Sequence, residues 1–276
     1  MKQFKIGVMS DSFRLEQKAG IRKAAELGAD GVQVGMTEPD KIGPAERKEF
    51  KAFCADVGLT ISALCGDIGA YRDAGGNVER VKRFKKILDL ANDVGTRVVT
   101  THIGVVPADR NDPVYKTMLA ACREMAEYGV GIGVTAAVET GPEKAAILKA
   151  FLDDVDSKGI GVNLDPANLV MVAADDPVQA VLTLGDYIVH THAKDGVQLR
   201  PCDPVQEYHT GAPPELGPGF KEVPLGEGGV DWHGYLKALG DIGYDGFLTI
   251  EREVGDDPAK DVARAIEFLR REMARS

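Results

Sequence analysis

The amino-acid sequence predicts one α/β domain, residues 1–276, folded as a (β/α)8 TIM barrel. Three observations carry that expectation. Eight short apolar, β-branched runs are each followed by a helical stretch, and eight such units in about 250 residues is the usual length of this barrel. A punctuating phrase also recurs: the end of a helical stretch, an apolar residue, a Gly, one or two variable residues, then a β-branched run. Copies stand at Leu27-Gly28, Val57-Gly58, Val94-Gly95, Gly159 and Ile242-Gly243. Gly there suits the left-handed residue that closes a helix, so each copy marks a helix ending where a strand begins. Finally, the ends of three successive runs, Glu139, Asp165 and His192, lie 26 and 27 positions apart, the length of single βα units.

The elements follow in order. The opening MKQFKIGVMSDSF holds a short apolar run broken at Asp11. It is expected to form a first strand near Phe4 and not a signal peptide. Strands two and three are expected from Gly31 and Thr60. Between Val78 and Val94, Val78, Val81, Phe84, Leu88, Ala91 and Val94 recur at helical spacing opposite Lys and Arg, with Asn77 as the cap. Strand four begins near Arg97, and strands five to eight are Gly133 to Glu139, Ile160 to Asp165, Tyr187 to His192 and Gly246 to Glu251. Asp257 followed by Pro258 starts the last helix, whose Val262, Ala265, Leu269 and Met273 would cover the outside of the sheet. His192 and Glu251 are 59 positions apart, and the excess lies at 196–229, which holds six of the 14 prolines and seven glycines. That segment is expected to be an ordered loop inserted after strand seven, overhanging the rim as a lid.

Composition narrows the function classes. A net charge of -10, with no basic stripe, argues against a nucleic-acid partner, because gripping phosphate backbones takes clustered Lys and Arg. No segment approaches the roughly 18 apolar residues that span a bilayer, so no membrane partner is expected. Cys54, Cys65, Cys122 and Cys202 are scattered and form no Cys-x-x-Cys pair, which argues against a structural zinc site or redox motif. They read as reduced thiols in a cytoplasmic protein.

Glu139, Asp165, His192 and Glu251 each end a predicted strand. Strands of a parallel barrel finish at one rim, so these four side chains are expected to meet. Three carboxylates and an imidazole suit one divalent metal ion, Mn²⁺ foremost, with Mg²⁺, Co²⁺ or Zn²⁺ also accepted. Without an ion the carboxylates would repel one another. Strand parity places His190 beneath His192, Asn163 beneath Asp165 and Thr249 beneath Glu251, where a polar layer can orient ligands. Candidate substrate contacts are His102 at the end of strand four, Asn168, Lys194, and His209 on the inserted loop beside Tyr208 and Glu207. Arg252 and Glu253 read as rim residues or a helix-entry ion pair, and Trp232 as a packing anchor. Gly226, Gly228 and Gly229 form no phosphate-binding fingerprint, since no strand-loop-helix unit frames them.

The segments AVETG, NLDPAN, HTHAKDG, PLGEGGVDW and GYDGFLTIERE resemble the sugar isomerase and epimerase superfamily of xylose-isomerase-like barrels. The resemblance implies that Glu139, Asp165, His192 and Glu251 bind one divalent metal and that both glutamates move protons. The implied reaction removes a proton beside a carbonyl through a metal-stabilised enediolate. It would epimerise or isomerise a small sugar, keto-sugar or cyclitol. Similar proteins are often dimers or tetramers, which implies a homo-oligomer. Two positions depart from the ketose 3-epimerases: Asn168 stands where they carry a histidine, and Gln198 where they carry an arginine. The His192-x-Lys194-Asp195 arrangement is closer to relatives of inosose dehydratases. Three rival readings share the barrel: a lyase that expels a leaving group, an apurinic-endonuclease-like phosphodiesterase, and a silent sugar-binding protein. The last has no use for a second proton-transfer carboxylate.

Overall fold

The fold follows from strands too apolar to face water on either side, which must be covered by helices outside and by each other's side chains inside. In the computed structural model, which describes residues 2–211 and 214–275, eight parallel strands close a barrel. They are β1 (Lys5–Met9), β2 (Gly31–Gly35), β3 (Thr60–Cys65), β4 (Val98–Thr101), β5 (Thr135–Glu139), β6 (Ile160–Leu164), β7 (Ile188–Ala193) and β10 (Phe247–Ile250). Strand β10 closes the ring between β7 and β1. The eight expected strands and the (β/α)8 class are therefore observed. No helix among the described residues is long and apolar enough to cross a membrane.

Helices α1 (Gln17–Glu26), α2 (Pro44–Asp56), α3 (Ala74–Val94), α4 (Pro113–Ile132), α5 (Ala145–Val155), α6 (Pro166–Asn168), α7 (Pro177–Leu184), α8 (Trp232–Asp241) and α9 (Pro258–Ala274) follow the barrel strands, α6 and α7 both after β6. The α9 reading holds in detail: the Asp257 side chain accepts from Lys260 N, and Val262, Ala265, Leu269 and Met273 are buried. Gly28, Gly58, Gly95 and Gly243 take the left-handed conformation that closes a helix.

Three local expectations are corrected. Gly159 does not close α5; Asp156 does, at φ 53°. Gly159 is needed for space instead, since a Cβ there would lie 1.9 Å from Ala126 O on α4. Asn77 is not the cap of α3, which starts earlier at Asp73; Asp73 accepts from Gly75 N and Gly76 N. Asn77 is buried and donates to Tyr71 O. Val78, counted into the apolar stripe, is 70% exposed, while Val81, Phe84, Leu88, Ala91 and Val94 are buried.

The inserted segment is more regular than its composition indicates. Its ends pair as an antiparallel ribbon, β8 (Asp195–Gln198) with β9 (Phe220–Val223), and positions 212 and 213 of the expected 196–229 loop lie outside the described residues. Asp195 anchors the base, accepting from Gly226 N (2.9 Å), Val230 N (3.2 Å) and Trp232 Nε1 (2.9 Å). Trp232 is buried in edge-on contact with Tyr235 and Phe268, a packing anchor.

Candidate metal centre and active site

The four strand-end residues meet. Going round the rim from β10 through β7 and β6 to β5, the barrel presents Glu251, His192, Asp165 and Glu139 in turn. All four are buried, and one ligand atom from each lies within 4.8 Å of the others. His192 Nδ1 is 3.2 Å from Glu251 Oε2, 3.4 Å from Asp165 Oδ2 and 3.6 Å from Glu139 Oε2.

A polar layer beneath fixes these side chains. Gln33 on β2 accepts at Oε1 from His192 Nε2 (2.9 Å), and its own Nε2 donates to Thr100 Oγ1 (2.8 Å). Nε2 therefore carries a proton, and Nδ1 faces the carboxylates. Asn163 Nδ2 donates to Glu139 Oε2 (3.1 Å), and Asn163 Oδ1 pairs with His190 Nδ1 (2.8 Å), whose Nε2 meets Thr249 Oγ1 (2.9 Å). Register shifts fall between Val32 and Gln33 and between Val162 and Asn163. The extra residue is on the partner strand each time, Ser62 on β3 and Val189 on β7, and the regular pairing resumes at Gln33 and Asn163, the residues that hold the ligands.

Electrostatics fit a cation. Burial pushes Glu139 and Glu251 up, but the His102 and His192 charges outweigh it at Glu139 and hold it low. At Glu251, Lys194 and His192 hold the carboxyl well below its usual range. Burial wins at Asp165, which is raised. Burial also lowers His192, yet Glu251 and Glu139 drive it well above the ordinary imidazole value, so in the metal-free protein Nδ1 binds a proton. A metal ion would compete for that lone pair. The donor set passes a second test: Asp165 Oδ1 accepts from Asn168 N (2.9 Å), whereas the buried Oδ2 finds no hydrogen-bond partner. A buried carboxylate oxygen without a donor is costly, and a cation beside it removes the cost.

Above the four residues lies a cavity of about 570 Å³. His102, Asn168 and Lys194 line it. Asn168 Nδ2 donates to Glu139 Oε1 (3.0 Å), and Lys194 Nζ donates to Glu251 Oε2 (3.1 Å) and also bonds Glu253. His102 is pulled up to about 9: burial lowers it, and Glu139 with the 3.0 Å bond to Asp67 more than reverse that. His209 is not among the lining residues; its Nε2 accepts from Val105 N (3.0 Å), which ties the inserted segment to the loop after β4. Its neighbour Tyr208 faces the cavity instead. Gln198 donates to Met171 O and Val172 O, supporting the π-turn Leu169–Ala173. Arg252 bonds Glu222 and Asp261 and not Glu253. Sequence reasoning missed Gln33 as the support of His192; a lone polar residue inside the apolar run GVQVG was its signal.

A parallel barrel with three carboxylates and an imidazole converging at its carboxyl rim defines a TIM-barrel protein built around a candidate metal site. The chain belongs to the xylose isomerase-like TIM barrel family, whose model matches residues 21–272. It is 26% identical to the L-ribulose-5-phosphate 3-epimerase UlaE of Escherichia coli K12, over 93% of this chain and 89% of that protein. A xylose isomerase domain protein from Planctomyces limnophilus superposes with a TM-score of 0.83 and 28% identity over 98% of both chains. The probable 3-DHS dehydratase AsbF from Bacillus anthracis shares the fold, with a TM-score of 0.74 and 20% identity over 99% of this chain and 100% of that one.

Proposed function

We propose that this chain is a divalent-metal-dependent epimerase or isomerase of a small sugar, keto-sugar or cyclitol, working by proton transfer at a carbon beside a carbonyl. The observation that carries this is the placement of Glu139 and Glu251 on the two flanks of the Asp165–His192 pair at the cavity floor. Glu139, Asp165, His192 and Glu251 would hold the ion, with Mn²⁺ preferred for a site of three oxygens and one nitrogen. When bound, it supplies Lewis-acid polarisation of the substrate carbonyl.

The chain's own groups do the rest. Asn163 and Asn168 grip both oxygens of Glu139, and Lys194 grips Glu251, so each carboxylate is held in one orientation before substrate arrives. One glutamate takes the proton and the other returns it, to the same carbon for epimerisation or to its neighbour for an aldose-ketose shift. Lys194, Asn168 and His102 line the cavity and would meet substrate oxygens there. Four free cysteines fit the reducing cytoplasm proposed for the protein.

The test is hydrogen exchange in D₂O. The Mn²⁺-loaded protein should place deuterium at the carbon beside the carbonyl of a ketose or keto-inositol and form the isomer. Glu251→Gln should lose this while still binding Mn²⁺. Release of water without isomer formation would replace the epimerase reading with a lyase. Tight, salt-sensitive binding to abasic DNA would favour a phosphodiesterase.

A further inference from the structure

The cavity wall also bears on the charge of the ligand. TIM barrels that bind phosphate commonly do so with the loops after the seventh and eighth strands, using free backbone N–H groups and cations. In this barrel those two segments are the inserted ribbon and the stretch after β10, and they bring Glu207, Glu222 and Glu253 to the cavity. Three of the cations beside them are already bonded. Lys194, 3% exposed, is shared by Glu251 and Glu253. Arg252, 7% exposed, donates to Glu222 Oε1 (2.6 Å) and Asp261 Oδ2 (2.9 Å). Arg200 Nη2 donates to Glu207 Oε1 (3.1 Å). The N-terminus of α9 is closed by Asp257 accepting from Lys260 N. Elsewhere on the wall Met171, Phe220 and Val254 offer an anion nothing, and Tyr208 offers one neutral hydroxyl.

A phosphate dianion needs charge-assisted donors, best a bidentate guanidinium. To obtain one here it would have to break a buried carboxylate pair and leave that carboxylate beside it. Lys221, exposed on β9, is the wall cation for which no carboxylate partner is found among the described residues. We propose that the ligand is an uncharged polyol or keto-sugar, and that Glu222 and Glu253, with Arg252 and Lys194 committed to them, exclude its terminal phosphate ester. This rests on reading the cavity as a sugar site, and it separates this chain from what the name of its Escherichia coli relative states for that protein.

The experiment is calorimetric binding of matched pairs, ribulose with ribulose 5-phosphate and fructose with fructose 6-phosphate, to the Mn²⁺-loaded full chain at 50 mM and 500 mM salt. Each uncharged ligand should bind at least about tenfold tighter than its ester at low salt, and the gap should narrow at high salt, because screening weakens the repulsion. Equal or tighter ester binding would overturn the proposal, most directly if Lys221→Met removed it. A gap that salt leaves unchanged would overturn it too, since steric exclusion behaves that way, as would failure of both uncharged sugars to bind. Tight binding of the uncharged sugars with no hydrogen exchange would end the epimerase reading and leave this one standing. Exchange on the ester alone would do the reverse.

Discussion

Replacing Gln33 by Leu isolates what holds the imidazole of the proposed metal centre. Leu keeps the approximate bulk of a residue that is fully buried, but removes the acceptor 2.9 Å from His192 Nε2 and the donor 2.8 Å from Thr100 Oγ1. A buried N–H left without an acceptor costs about 1–3 kcal/mol, so stability should fall by that order. The tautomer with hydrogen on Nδ1 then gains population, and that tautomer offers a metal no lone pair on the side facing Glu139, Asp165 and Glu251. Loss of such a support weakens metal binding by about 10–100-fold, equivalent to about 1.4–2.8 kcal/mol. The assay is the Kd for Mn²⁺ by competition calorimetry on parent and variant. Binding within about threefold of the parent would refute the assignment of Gln33.

Other outcomes follow from the same geometry. Lys194→Met leaves the buried Glu251 without its cation, while Glu253 stays exposed to water, so stability should fall by about 3–5 kcal/mol in denaturant titrations. Glu251, no longer held low, should move the acid limb of the pH–rate profile to higher pH. His102 is raised in the folded state from 6.5 to about 9, so it stabilises the metal-free protein fully below pH 6.5, and this is lost as pH rises through 9. His102→Gln should flatten that dependence in Tm measured between pH 6 and 10. Gly159→Ala forces a Cβ against Ala126 O and should lower stability by about 1–3 kcal/mol or more without changing the Mn²⁺ Kd of whatever fraction folds.

How far the molecule is legible from its residues depends on the range of the interaction. Helix α9 could be read to its cap, because Asp257, Pro258 and the apolar stripe all lie within one element. Helix α3 was misplaced at its start: Asp73 and Asn77 are both good capping types, and what decides between them is that Asn77 is drawn inward to Tyr71 O. Gly159 fits the helix-closing phrase by sequence, but its role comes from the backbone of α4 passing alongside. The inserted segment has no periodicity to read, because β8 and β9 find each other across more than twenty intervening residues.

The barrel and the four residues at its rim were accessible from local pattern alone. Strand and helix periods, helix-closing glycines and residues at run ends are short-range features, and parallel closure carries run ends to one rim. Tertiary structure decided how those residues are held and what surrounds them. Gln33 reaches His192 from 159 positions away because closure of the barrel brings β2 and β7 to one interior, and Tyr208 faces the cavity in place of His209 because His209 is turned to Val105. The charge of the wall was equally hidden: the chain offers Lys194 as a substrate contact and Arg252 as a rim residue or a partner of Glu253, and only folding commits them to Glu251, Glu253, Glu222 and Asp261. Pairings of that kind depend on distances between elements far apart in sequence, which no local period encodes.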